Sequence, residues 1–501
     1  MRRALLILVL MGCGGTTVKP PADSGTPADS GQPPVDAGNP PPDAGTPDSG
    51  TPPDDSGTPD AGPADSGTPD GGSTARADIP AIACNDAQST LWSDPAMMLT
   101  ADPAARGNVL RCAFELDQPA STIATEMPQV THPSGVHRYF IEYQTTLGNG
   151  QPGFSSARVW LPDAPRAVPM PVVVIAHPSL GLADSCAPTK NSPSATDLAL
   201  YWVSRGYAVI GPDYPGLGTS GVQTYVDNHE TGQALIDGAR ALRKMMAPGV
   251  FDDRVAMLGY SQGGGGVLSA QALDHSYGDG QLAVVAALAP EWPTRLNSFG
   301  YLDMMNAPTS LSVLFGYTKP VVAAQQLYGY FNEYVGPTHS TDGFPSAHGA
   351  AIKSSLDSLC LVPFGGWLEA TELHVSDWVD DSLRTGLLAC VADPLGAGCV
   401  DPGKSLYFYM QQNLLAPDPN GAPVLYVQGL LDTVMPPGEE AACNVPYLKN
   451  AGVNLTFCAD SSASHTDIVD RNADFAVRWA EAQLWGTSVP TCTDATLANC
   501  P

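Results

Sequence analysis

Between residues 130 and 290, and again after 420, short apolar runs alternate with longer stretches whose apolar positions recur with a helical period. Residues 137–145 (HRYFIEYQT) and 157–161 (ARVWL) read as strands joined by a Gly- and Ser-rich loop into a hairpin. Residues 171–176 (PVVVIA) are a continuous, largely β-branched run, as expected of a parallel strand buried on both faces. A helix over 195–205, ended by Gly206, leads to another buried strand over 207–211. Residues 228–246 read as an amphipathic helix, with Leu235, Ala239, Leu242 and Met246 along one face. A strand over 255–258, a Gly- and Ala-rich helix and a strand over 282–288 follow. The pattern resumes with a strand over 423–428, a helix over 439–450 expected to break or kink at Pro446, and a strand over 453–457. The last helix, 467–485, lines up Val469, Ala473, Ala476, Ala480 and Leu484 and stops at Gly486. Strands alternating with helices predict an α/β fold built on a mostly parallel, doubly wound sheet.

The alternation is interrupted from about 291 to 421. That stretch holds aromatic and Met-rich pieces around Met304, Tyr328, Phe364, Trp367, Trp378 and Tyr407. It begins where the strand over 282–288 ends, at the sheet edge that carries the functional loops, and so reads as a helical cap insertion.

The first 80 or so residues do not belong to the fold. Met1-Arg2-Arg3 followed by the apolar run to Met11 has the form of an export signal, too short to span a bilayer. Its end, Leu10-Met11-Gly12-Cys13, resembles a bacterial lipobox, which implies acylation of Cys13 and a lipid-anchored, exported protein of the outer membrane. Residues 14–79 repeat Asp-Ser-Gly-Thr-Pro from Asp23, Asp48, Asp55 and Asp65 and have almost no large apolar side chain, the composition of a disordered tether. The folded domain is then 80–501. The net charge of −28 argues against a nucleic-acid partner, and membrane contact is expected only through the acylated N-terminus. Of eleven cysteines, ten remain after Cys13, an even number that fits disulfides in an exported chain. Proximity suggests the pairs Cys443/Cys458 and Cys492/Cys500. The cysteines and histidines form no zinc-like cluster, and neither a metal nor a cofactor is expected.

The chemistry centres on Gly259-Tyr260-Ser261-Gln262-Gly263, a G-x-S-x-G sequence between a strand and a helix. This is the nucleophile elbow, where a serine sits on a strained turn and flanking glycines avoid clashes with the neighbouring backbone. In that arrangement the acid and then the histidine follow the serine along the chain. Of the histidines after Ser261, which are His275, His339, His348, His374 and His465, only His465 follows the last strand. Asp432 lies just beyond the strand over 423–428, with Glu439 and Glu440 as the nearest competitors. Ser261, Asp432 and His465 are therefore the candidate nucleophile, acid and base. The backbone N–H of Gln262 and, from the loop His177-Pro178-Ser179, that of Ser179 are the candidate oxyanion donors.

Three stretches carry a likeness to a known family: residues 177–188 (HPSLGLADSCAP), 206–218 (GYAVIGPDYPGLG) and 259–264 (GYSQGG). Together they resemble the secretory lipases, α/β-hydrolases of fungi and many bacteria. The resemblance implies an acyl-ester hydrolase with a cap insert, acting on a small-molecule or lipid ester, and agrees with Ser261, Asp432 and His465 as the triad. Pro178 stands where the family usually has Gly, which removes one possible N–H from the oxyanion loop. Two other readings are a prolyl-type serine peptidase and a non-catalytic surface binding protein on the same fold. The first would usually add a large accessory domain, and no propeller-like repeat occurs; the second predicts a broken triad. A small cutinase would lack the length between Ser261 and Asp432.

Overall fold

The computed structural model describes residues 75–191, 198–307, 318–371, 374–492, 497 and 499–500. The residues read as an export signal, Cys13 and nearly all of those read as a tether lie outside them. Among the described residues no helix is long and apolar enough to cross a membrane.

The strands are β1 (Val109–Gln118), β2 (Val136–Thr146), β3 (Pro152–Pro162), β4 (Met170–Ala176), β5 (Val209–Pro212), β6 (Phe251–Tyr260), β7 (Leu282–Leu288), β8 (Val424–Gly429) and β9 (Leu455–Asp460). They form one sheet in the order β1-β2-β3-β5-β4-β6-β7-β8-β9. From β1 to β5 neighbours are antiparallel; from β5 to β9 every pair is parallel. Every residue of β4 and of β8 is buried. Helices Asn228–Met245 and Gln262–Leu273 pack together, as do Leu198–Val203 and Ile468–Trp485, and these pairs supply the cover that such strands need. Chain order reverses around β4, with β5 on one side and β6 on the other. The carboxyl ends of β4 and β6 thus meet at a topological switch point, where α/β sheets place their ligands.

Four details differ from the sequence reading. β1 and the helix Ala120–Glu126 were not foreseen, because Arg111, Glu115 and Asp117 and two register shifts blur the alternation of β1. The hairpin loop shrinks to residues 147–151, since β2 and β3 pair from Val136↔Pro162 to Thr146↔Pro152. Ser155 and Ser156 belong to β3, and the Ser156 hydroxyl donates to the buried Asp213 at 2.7 Å. The helix Ala441–Asn450 runs on through Pro446, carried by burial of Val445 and Leu448 on either side. The disulfides proposed from proximity are exchanged: Cys443 joins Cys500 and Cys458 joins Cys492. Cys492 is bridged to β9 and Cys500 to the helix Ala441–Asn450. Tertiary contact, not spacing, selects each partner. Three more bridges, Cys84–Cys112, Cys186–Cys360 and Cys390–Cys399, account for all ten cysteines of the domain.

The insert between β7 and β8 is helical, with Thr318–Tyr330, Gly349–Ser358, Leu361–Thr371, Asp381–Ala392 and Gly403–Gln412 as its longer helices. Met304, Met305, Tyr328, Phe331, Trp378 and Leu406 form its own core. That core continues into Leu182, Tyr225, Val226 and Met435, which follow β4, β5 and β8 at the carboxyl edge of the sheet. Most of its aromatic and Met side chains are thereby used for packing. The Cys186–Cys360 bridge and the Leu361 N–H, which donates to the Leu180 carbonyl at 2.8 Å, tie the insert to the loop after β4.

Candidate active site

Ser261 joins β6 to the helix Gln262–Leu273 with φ 54° and ψ −120°, a strained backbone for a non-glycine residue. The turn is held on three sides. The Ser261 N–H donates to the Leu288 carbonyl at 3.0 Å, and the Ser261 carbonyl accepts from Gly265 at 3.0 Å and Glu291 at 2.9 Å. The run of glycines permits this crowding. A Cβ on Gly259 would lie 2.1 Å from the Gly263 carbonyl oxygen, and one on Gly265 1.9 Å from that of Glu291. The helix start directs its N–H groups, with that of Gln262 first, beside the serine.

His465 Nε2 lies 3.0 Å from Ser261 Oγ, and its Nδ1 lies 2.8 Å from Asp432 Oδ2. The other carboxylate oxygen of Asp432 accepts from the N–H groups of Val434 and Met435 at 2.8 and 2.7 Å, which leaves Oδ2 aimed at the imidazole. Ser261, Asp432 and His465 are each only 4% exposed, so the hydroxyl is covered in this state. The competitors lie elsewhere: Glu440 accepts from the Phe299 N–H, and Glu439 pairs with Lys319 in the insert. His374 caps the short helix Val375–Trp378 together with Asp377. Among the described residues no group of three or more His, Cys, Asp or Glu is arranged to hold a metal ion.

The loop after β4 forms the facing wall. A Cβ on Gly263 would stand 2.1 Å from the Ala176 carbonyl oxygen and 2.7 Å from that of His177. His177 stacks on Tyr214 at 4.2 Å, its two ring nitrogens against the carbonyls of Pro178 and Asp213. Burial pushes its pKa down to about 4, with the two carbonyls acting the other way. The hydroxyl of Ser179 is engaged with Tyr225 at 2.6 Å and with Glu291 at 3.0 Å.

Solved structures share this architecture, two of them a lipase and an esterase. Lipase A of Candida antarctica aligns over 81% of this chain and 89% of its own, with 18% identity and a TM-score of 0.56. The rice cell wall degrading esterase LipA of Xanthomonas oryzae aligns over 76% of this chain and 97% of its own, with 20% identity and a TM-score of 0.53. The fold is that of the α/β-hydrolases. Residues 194–296 match the model of the secretory lipase family, a segment that includes β5, the elbow and β7. No curated protein sequence matches the chain.

Two residues of the candidate site escaped the sequence reading. Tyr260, the variable position before the serine, donates through its hydroxyl to the His465 carbonyl at 2.6 Å and packs its ring 5.1 Å from the imidazole. Glu291 stands three residues past β7 and is fully buried beside the nucleophile turn. A carboxylate closing an apolar strand just before the insert was the available signal for Glu291; Tyr260 had none beyond its place in the motif.

Proposed function

We propose that the protein is a serine carboxylic ester hydrolase of lipase or esterase type. The observation that carries this reading is the line Ser261 Oγ, His465 and Asp432, at 3.0 and 2.8 Å, contributed by three separate loops. His465 Nε2 takes the Ser261 proton as Oγ adds to the ester carbonyl, while Asp432 orients the imidazole and stabilises its charged form. The oxyanion is met by the Gln262 N–H and by a second N–H from the loop 177–181, with Ser179 as donor. Collapse breaks the bond to the alcohol, which leaves with the proton held on His465. Water, deprotonated by the same ring, then releases the acid from Ser261. The match of residues 194–296 to secretory lipases and the fold shared with a lipase and an esterase support the ester class.

The rest of the chain fits a bacterial lipoprotein: a signal ending at an acylated Cys13, a tether from residue 14 that ends just before Ala77, which is buried in the domain core, and then the hydrolase domain with its cap. Five disulfides within the domain support an exported location.

Turnover of p-nitrophenyl esters from acetyl to palmitoyl, by wild type and Ser261→Ala beside a prolyl aminoacyl amide, tests the enzyme. Ester cleavage that disappears in the alanine variant is expected; survival there removes the mechanism, and amide cleavage without ester cleavage favours a peptidase. For the anchor, Cys13→Ala should move the protein out of the membrane fraction, and unchanged partitioning refutes acylation.

A further inference from the structure

After β7 the chain turns through Ala289, at φ 41°, and Pro290 to Glu291. The backbone of Glu291 belongs to the nucleophile turn: its N–H donates to the Ser261 carbonyl at 2.9 Å, and its carbonyl packs on Gly265. Its side chain belongs to the facing wall. Both carboxylate oxygens lie 2.9 Å from the Tyr225 hydroxyl, and Oε2 also accepts from Ser179 at 3.0 Å. The Ser179 and Tyr225 hydroxyls are themselves 2.6 Å apart, which closes a ring of three side chains. Glu291, Ser179 and Tyr225 are 3%, 7% and 2% exposed. A buried carboxyl without partners would be strongly destabilising, whereas here two hydroxyls stand against both of its oxygens. Burial raises the Glu291 pKa, with the two hydroxyls and then His465 acting the other way.

A single residue therefore spans the two walls between which an oxyanion would form. Resting on the ester-hydrolase reading, we propose that Glu291 is a positioning residue. Bonded through its backbone to Ser261 and through its carboxylate to Ser179, it sets the distance between the Gln262 N–H and the second oxyanion donor. It acts through Ser179 and need not touch substrate.

The test compares wild type with Glu291→Gln, Ser179→Ala and the double variant on p-nitrophenyl butyrate. Rates are normalised to the fraction of Ser261 labelled by a fluorophosphonate, and melting temperatures are recorded. A displaced donor lowers the rate with binding intact, so kcat should fall about 10- to 100-fold in each single variant while KM moves less than about twofold. The double variant should lose little more than the worse single one, because both break one device. A kcat per labelled Ser261 within about twofold of wild type, or losses that multiply in the double variant, would overturn the inference. Should Glu291→Gln fail to fold, Tyr225→Phe removes two of the same hydrogen bonds with its ring kept. It is judged by the same criteria. Ser261→Ala separates the two levels: activity surviving there defeats the ester-hydrolase reading, whereas a dead alanine variant beside a fully active Glu291→Gln defeats only the role of Glu291.

Discussion

A β-carbon at Gly263 would stand 2.1 Å from the Ala176 carbonyl oxygen, so the elbow helix and the end of β4 meet backbone to backbone. Neither partner is the tip of a flexible side chain that could swing aside. Gly263→Ala must therefore push apart the two walls of the site, at a cost of about 1–3 kcal/mol in stability and a larger one in alignment. The expected outcome is a lowered melting temperature and at least ~100-fold slower ester turnover in whatever folds. Calorimetry and p-nitrophenyl ester kinetics check both parts.

Asp432 offers Oδ2 to His465 while two backbone N–H groups hold its other oxygen. Asp432→Asn keeps the shape but can present an N–H to the imidazole and so favour the wrong tautomer. A loss of about 10⁴ in kcat is expected with the fold intact. A variant retaining a tenth of wild-type activity would remove Asp432 from the mechanism.

Asp213 and Glu440 are almost completely buried, and burial raises their pKa values from 3.8 to about 6 and from 4.5 to about 7. A raised value means that the folded chain keeps a proton the unfolded chain has released. Their contribution to stability is full below the unfolded values near 4 and is lost as pH rises through 6 to 7. These two groups should lower the melting temperature as pH rises from about 4 to about 7, and Asp213→Asn, which cannot ionise, should flatten the slope. Thermal melts across that range decide it; a wild-type slope unaltered in the variant contradicts the assignment to Asp213.

Cys186–Cys360 closes a separation of 174 residues between the loop after β4 and the insert. The paired Cys186→Ser, Cys360→Ser variant should lose about 2–5 kcal/mol of stability. The loss should appear in denaturant unfolding, with trypsin cutting first within the insert. Cleavage first in the sheet domain would show that the bridge does not secure the cap.

The parallel half of the sheet was legible because β4, β7 and β8 are continuous apolar runs, buried on both faces, whose pattern needs no partner to be read. Ser261, Asp432 and His465 were legible for a related reason. Chain order along a parallel sheet brings the loops after successive strands to one edge, and these residues are in the loops after β6, β8 and β9. β1 hid behind its charges and register shifts. Ser155 and Ser156 resembled a loop because both are small and polar, and the acceptor of Ser156, Asp213, lies far along the chain.

Composition and local order thus determined the class of fold, the strand-turn-helix around Ser261 and an even set of cysteines, since each depends on neighbours within a few residues. Which cysteines pair, how Tyr260 reaches His465 and how Glu291 joins Ser261 to Ser179 were decided only by tertiary structure. Those contacts join segments tens to hundreds of residues apart, and their energies exist only once the sheet has brought the segments within a few ångströms.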